Sequence, residues 1–412
     1  MEYYLKKLLY YGGVKLLQWL KRINLNFIIL IIILLSVFLS VNVLSLQNPL
    51  DVDIEVLREE FERIYNVRSN CLVTGDTATL KELFDTSQKY GIYSLDHEVK
   101  RVKYLKDWSI QRGIQFKNVE SFVRIKKVLS QGTVIKVLLE ESYRFDYVYE
   151  DDPDKTLNSF GVGIKHTAKI TKKQDKWLIY QDWYTDCFED ALQSYTADAQ
   201  NVFSKFNFVL PLEGNLLAAE KLYDSAQGKT TYNREKAVSY ADKYCGAAWG
   251  SGNDFKYNPK YMDYNGAGGD CTNYASQVLG DEEAGGLSQD GTWFCSFPKY
   301  GRGSGSSAWV NADALKNYLI YSGKTKVIKS GTYKELTTPS TDTSETAISN
   351  LCLGDVICYE KGRGNIDHFA VVTGFDSKGY PLVNSHTTDR YHVPWDLGWG
   401  DKKIRFFLLH VN

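Results

Sequence analysis

The chain has 412 residues, 49 of them basic and 50 acidic, for a formal net charge of −1. That balance excludes the basic nucleic-acid-binding class, which carries a marked cationic excess or patch. With 43% hydrophobic and 14% aromatic residues the composition is that of a folded protein, and the length leaves room for two or three domains of about 150 residues each.

The first predicted element is FIILIIILLSVFLSVNVLSL, residues 27–46, which carries no charge. A helix of that length rises about 30 Å, enough to cross a hydrocarbon core. Lys6, Lys7, Lys15, Lys21 and Arg22 precede it, and Asp51, Asp53 and Glu55 follow, with no Lys or Arg until Arg58. The positive-inside rule then predicts a cytosolic basic segment over 1–26, one transmembrane helix over 27–46, and a cell-membrane protein with its remainder outside the cytosol. The competing expectation is a cleaved signal peptide and a secreted chain. Against it, the apolar run is long and no small-residue cleavage site follows.

Residues 52–195 read as one unit. Ile54, Leu57, Phe61 and Ile64 recur at helical spacing, as do Leu80, Leu83 and Phe84. SFVRIKKVL, TVIKVLLEESYRFDYVYE and the stretch from Gly161 to Phe188 alternate apolar with polar and predict antiparallel strands, with DDPDKTLNSFG as a hairpin loop. Helices before strands predict an α+β layer, and the pattern resembles the cone-shaped nuclear-transport-factor-two-like fold. His97 and His166 stand isolated in the sequence, so this unit is expected to act as a spacer or to dock a protein partner. Residues 196–230 read as a linker with one short helix in LLAAEKLY.

The last unit, 231–412, opens with a helix that puts Ala237, Tyr240, Ala241 and Tyr244 on one face. GRGSGSS (301–307) and TTPSTDTSET (337–346) read as surface loops. At 266–277 the chain reads GAGGDCTNYASQ. Glycines permit a sharp bend and close approach; Tyr274, Ala275, Val278 and Leu279 then predict a buried helix with Gly280 as its stop. Cys271 therefore falls in the first turn of a helix, where the backbone N–H groups and the dipole favour a thiolate. The other cysteines, Cys71, Cys187, Cys245, Cys295, Cys352 and Cys358, show no C-x-x-C spacing with one another or with Cys271, which argues against a structural zinc site.

A nucleophilic cysteine needs a base and a group to orient it. DVICYE, HFAVVTGF and YPLVNSH read as three strands. His368 opens the second; Asn384 and His386, two apart and so on one face, end the third. An antiparallel pairing places His368 beside Asn384 or His386, the arrangement of a Cys–His mechanism. His392 and His410 show no partner in the sequence. A metal bound by Asp367, His368 and His386 lacks H-E-x-x-H-type spacing. Trp293, Trp309, Trp395 and Trp399 are assigned to the core in preference to a glycan-binding cleft.

The blocks GGDCTNYASQVLG, YNREKAVSYADKY, LGDVICY, DHFAVVTG and NSHTTD together resemble the bacterial amidase domain family, itself similar to the papain-like NlpC-type and CHAP peptidases and amidases. The resemblance covers 231–412, with Tyr274 where a Phe is common and with long stretches at 301–307 and 325–350. It implies a papain-like fold with a helix on an antiparallel sheet, Cys271 as nucleophile, His368 as base, and His386 or Asn384 as the third residue. In the mechanism expected here the oxyanion is held by the Cys271 backbone N–H and a nearby polar group, Asp270 or Asn265, of the loop that includes Gly269; a carboxylate facing an oxyanion is unfavourable, so Asp270 is expected to brace the loop. No metal or cofactor is expected. The expected function is that of a membrane-anchored, extracytosolic cysteine amidohydrolase acting on peptidoglycan peptides. The alternatives are a general cysteine peptidase and an inactive wall-binding or scaffold module.

Overall fold

The computed structural model describes residues 53–131, 133–196, 231–340, 345–399 and 404–412. The expected cytosolic segment 1–26 and transmembrane helix 27–46, residues 197–230 of the expected linker, and residues 341–344 of the 337–346 loop lie outside the described residues. One expectation is corrected. Among the described residues no helix is long and apolar enough to cross a membrane, so a fold that includes a membrane-crossing helix is not upheld. The described architecture is sheet-rich and antiparallel.

Three helices come first: α1 (Ile54–Thr74), α2 (Thr77–Lys81) and α3 (Lys89–Arg112). Asp53 caps α1 by accepting from Glu55 N, and Gly75 ends it at φ 75°, a left-handed stop that glycine adopts without strain. Leu57, Phe61 and Ile64 are buried along one face, whereas Ile54 is exposed. The strands β1 (Ile114–Gln131), β2 (Val134–Tyr149), β3 (Asn158–Lys173) and β4 (Lys176–Tyr184) follow, then the short α4 (Glu189–Leu192).

After residue 230 come α5 (Arg234–Lys243), α6 (Cys271–Gly280), the two-residue strands β5 (Cys295–Ser296) and β6 (Ser304–Gly305), α7 (Ser307–Val310) and α8 (Ala312–Tyr321). The chain continues through β7 (Thr325–Gly331), α9 (Tyr333–Thr337), β8 (Val356–Glu360), β9 (Ile366–Phe375), β10 (Pro381–Ser385), β11 (Asp389–Pro394) and β12 (Arg405–Val411).

The main strands make one ten-stranded sheet in the order β1-β2-β3-β11-β10-β9-β8-β12-β7, with β4 also on β3. β3 joins the two halves. Along one side it pairs with β2; along the other, His166–Lys173 pair with β4 while Gly161, Val162 and Gly163 pair with β11. Gly161 and Gly163 have a steric reason: a Cβ on either would overlap the backbone of Trp249 or Ala247, which lies directly on the strand.

Two cores flank the C-terminal strands. Under α5, α6 and α8 lie Tyr240, Tyr274, Val278, Trp293, Trp309, Phe369 and Val371. On the opposite face Ile357, Tyr359, Ala370, Val372, Trp395 and Trp399 pack together. The four tryptophans at 293, 309, 395 and 399 are thus core residues.

The first half encloses charge. His166 and His97, isolated in the sequence, are partnered in space: His166 Nδ1 lies 2.9 Å from Asp182 and Nε2 3.1 Å from Glu141, and His97 Nε2 lies 2.8 Å from Asp186. Arg68 bonds Asp182 at 3.0 Å and Arg101 bonds Glu98 at 2.9 Å. Burial pushes the Glu141 carboxyl up, but Arg68, His166 and Ser121 outweigh it and hold it at about 2.

A second buried cluster ties the halves together. Asp396, before Trp399, accepts from Trp108 Nε1 at 2.9 Å, Arg112 Nε at 3.1 Å and Tyr380 OH at 2.7 Å, and from Arg112 Nη2. Asp376 accepts from Tyr147 and Tyr149, and Arg390 donates to the Cys187 carbonyl at 2.6 Å. Removing one partner of such a cluster leaves buried charge uncompensated, which costs about 3–5 kcal/mol. Asp396→Ala is therefore expected to lower stability in urea by about 3 kcal/mol or more. The halves should lose structure in one transition, followed by circular dichroism and tryptophan fluorescence; a loss below about 1 kcal/mol contradicts the assignment.

Candidate active site

The site begins at the loop before α6. Gly268 and Gly269 have φ of 114° and 124°, which an L side chain rarely adopts. A Cβ at Gly269 would also stand 2.9 Å from Thr387 Oγ1. Tyr264 O accepts from the Ala267 and Gly269 N–H groups at 2.8 and 3.1 Å, curling the loop.

Asp270 is the hub. Its Oδ1 accepts from Tyr264 N and Asn273 Nδ2, each at 2.9 Å, and its own N–H donates to Thr387 Oγ1 at 3.0 Å. Its Oδ2 lies 2.6 Å from His386 Nδ1, and His386 Nε2 lies 2.7 Å from the Tyr244 carbonyl. The ring thus spans a carboxyl group and a backbone carbonyl, one on each nitrogen. The ring is stacked between Tyr257, at 3.8 Å and 15°, and Tyr274, at 3.9 Å and 26°. Tyr257 is held in turn by Asp389, at 2.5 Å from its hydroxyl, and by Asn265 Nδ2 at 2.9 Å. Asn265 thus anchors the tyrosine, and Asp270 braces the loop through His386.

Cys271 opens α6 and is 7% exposed. Its Sγ is 3.8 Å from Thr272 Oγ1. Burial pushes its thiol above the ordinary value of 9.0, while the Phe369 backbone N–H and the Thr272 and Thr387 hydroxyls pull it back. The Phe369 N–H is available for a local reason. Asn384 pairs with Val371, so β10 ends at Ser385 before reaching the position opposite Phe369.

The other expected site residues sit elsewhere. His368 is adjacent to Phe369 in β9, and successive strand residues face opposite ways. Phe369 packs under α6, while the His368 ring lies 5.4 Å from Tyr359 and 5.2 Å from Trp399. Burial, then Arg390 and Lys361, hold His368 well below the usual histidine range, and its Nε2 has no hydrogen-bond partner among the described residues. Asn384 accepts from Thr373 Oγ1 and His392 N, each at 2.7 Å, and donates to Asp242 at 2.8 Å, bracing three strands against α5. The structure therefore brings together Cys271, Asp270, Gly269 and His386, and sets His368 on the other face of the sheet. His392 and His410 are also partnered, by Asp242 at 2.9 Å and Asp355 at 3.1 Å.

Thr387 and Tyr257 were missed in the sequence. Thr387 has φ 86°, a strained left-handed conformation for a β-branched residue, and nothing in the letters HTT announces it. Among the described residues, Cys352, Asp355 and His410 are close enough to share an ion. Asp355, however, already accepts from Arg234 at 2.8 Å and from the backbone N–H groups of Val411 and Cys352, so the donor set does not fit a metal.

A cleft of about 280 Å³ adjoins Asp270, with Lys126, Glu140 and Lys165 on one wall and Tyr257, Tyr261 and Met262 on another.

Comparison with known proteins adds an activity class. Residues 231–409 match the family described as "Putative amidase domain", which supports a hydrolase acting on C–N bonds. A Bacillus subtilis (strain 168) protein described as "Uncharacterized protein YjcM" is 31% identical over 195 residues, covering 45% of this chain and 38% of that protein. The solved intermembrane space region of chloroplast protein ARC6 aligns at a TM-score of 0.23 and 11% identity, over 32% of this chain and 96% of that one. At that score the likeness carries no argument.

Two outcomes follow from the geometry. His386→Ala leaves the buried Asp270 Oδ2 without its partner and empties the space between two tyrosine rings, and should cost about 3 kcal/mol in urea unfolding, whereas a surface-like cost below about 0.5 kcal/mol contradicts the clamp. Because burial raises the Cys271 thiol, its alkylation by iodoacetamide in the resting chain should be slower than that of an exposed thiol at neutral pH and should climb above pH 9.0. Peptide mapping by mass spectrometry reads the site, and a midpoint near neutrality contradicts the assignment.

Proposed function

We propose that residues 231–409 act as a thiol amidohydrolase with Cys271 as nucleophile, cleaving a peptide amide bond of the kind found in cell-wall peptides. The observation that carries this reading is a cysteine at a helix N-terminus, within the amidase-matched segment, whose sulfur faces a backbone N–H left free by the end of β10. In the reaction, Sγ attacks the amide carbonyl carbon, and the thiol proton passes through a base to the departing amine. Water then cleaves the thioester, releasing a carboxylic acid and restoring the thiol. The Cys271 N–H, at the head of α6, is the donor available to a developing oxyanion.

His386 spends both nitrogens on Asp270 and Tyr244, which supports a positioning role. His368 is the histidine in the neutral state that a base requires. A register shift lies beside it, between Tyr359 and Glu360. A one-residue slip at the start of β9 turns each side chain to the opposite face, and in this proposal that slip delivers His368 to Cys271. The buried, unactivated thiol of the resting chain favours a second reading, a wall-binding module without turnover.

Incubating the full chain with purified wall peptides and quantifying new primary amines separates the two. Cys271→Ala should abolish release, and His368→Ala should lower the rate about a hundredfold or more. Release that survives Cys271→Ala sinks the thiol mechanism; binding without release in the unaltered chain supports the second reading.

A further inference from the structure

The cleft beside Asp270 takes walls from both halves of the chain. Lys126, Glu140 and Lys165 come from β1, β2 and β3, and Tyr257, Tyr261 and Met262 from the segment between α5 and α6. Asp270 and Asp389, both buried, form its floor, and the exposed Lys165 and Arg302 stand at its rim.

Ion pairing sorts these charges. Lys126 lies 3.2 Å from Glu140, Lys256 lies 2.6 Å from Asp254, and Asp270 is held by His386 at 2.6 Å. Among the described residues Lys165 and Arg302 have no such carboxylate partner. Lys165 Nζ instead stands 4.9 Å from the centre of the Tyr257 ring, the ring whose hydroxyl bonds Asp389. Asp389 accepts from Tyr257 OH and from Ala247 N at 2.7 Å, two of the roughly four hydrogen bonds that a carboxylate can take. Burial pushes its carboxyl up, while His386 and Lys165 pull it down. The cleft therefore offers cations without a direct ion pair at the rim, spare acceptor capacity at the floor, and aromatic and thioether surface between. Its size falls near the lower end of small-molecule sites.

We propose that this cleft binds a short peptide with free ends, its carboxylate at Lys165 and Arg302 and its ammonium at Asp389. The assignment of the ligand as a peptide rests on the amide-hydrolysis reading, since a free carboxylate and a free amine are the groups that reaction leaves. It makes the first half of the chain part of the binding site, with Lys165 as the residue that reads the carboxylate.

Calorimetric titration of the full chain carrying Cys271→Ala tests this with three probes: alanyl-alanine, its N-acetyl form and its C-terminal amide. The free dipeptide should bind saturably, and blocking either end should weaken binding about tenfold. Lys165→Gln, at an exposed position, should erase the preference for the free carboxylate while keeping the penalty for N-acetylation; Arg302→Gln should act in the same direction. Absence of saturable binding, equal affinity for the three probes, or a carboxylate preference that survives both substitutions overturns the proposal. Hydrolysis is scored separately on the unaltered chain, so loss of the thiol mechanism and loss of the binding site give different results.

Discussion

The loop that presents Cys271 depends on one buried contact, that of Asp270 with His386. His386 sits between two tyrosine rings, with a carboxylate on one nitrogen and a carbonyl on the other. An unpaired polar ring in such a place would carry the full cost of its own desolvation; paired, stacked and bonded at both nitrogens, it becomes a fixed post. Asp270 is set by that post, and the glycines at 268 and 269 bend to meet it. Cys271 is the next residue, so its position at the head of α6 inherits the geometry. A histidine that looks catalytic in the sequence supports, in the fold, the loop that carries Cys271.

The same economy recurs between the halves. Arg112, Trp108 and Tyr380 converge on Asp396, and Tyr147 and Tyr149 on Asp376. Each carboxylate collects donors from elements far apart in the chain. Buried pairs of this kind add little net stability over apolar packing, but they tolerate few alternative arrangements because a misplaced partner is left uncompensated. The orientation of β11 and the turn after it, residues 389–399, against the first half is thereby tightly specified.

How much of this was legible before folding depends on the range of each interaction. The α6 helix was readable because Tyr274, Ala275, Val278 and Leu279 repeat at 3.6 spacing, and all four are fully buried. Leu57, Phe61 and Ile64 in α1 were readable for the same reason, although Ile54, at the end of the pattern, faces solvent. The phase of β9 was not. Ile366 to Val372 is covered on both faces, so its apolar run does not say which residues point toward α6. Pairing His368 with Cys271 rested on that missing phase. The partners of His166 and His97 were hidden because they arrive from strands and loops 16 and 89 residues away. Asp270 and His386 are 116 apart, and no local pattern encodes such a meeting.

The division of β3 between β4 and β11 has a consequence for where this protein can be cut. A family boundary at residue 231 falls between two stretches of chain that share a sheet. Severed there, the amidase-matched segment would present β11 as a raw edge, its N–H and C=O groups from Asp389 to Tyr391 stripped of their partners in β3. Unpaired edges recruit other strands, and self-association is their common fate. The segment matched to the family and the stretch tied together by the sheet's hydrogen bonds thus do not coincide, because β11 takes its partner from β3.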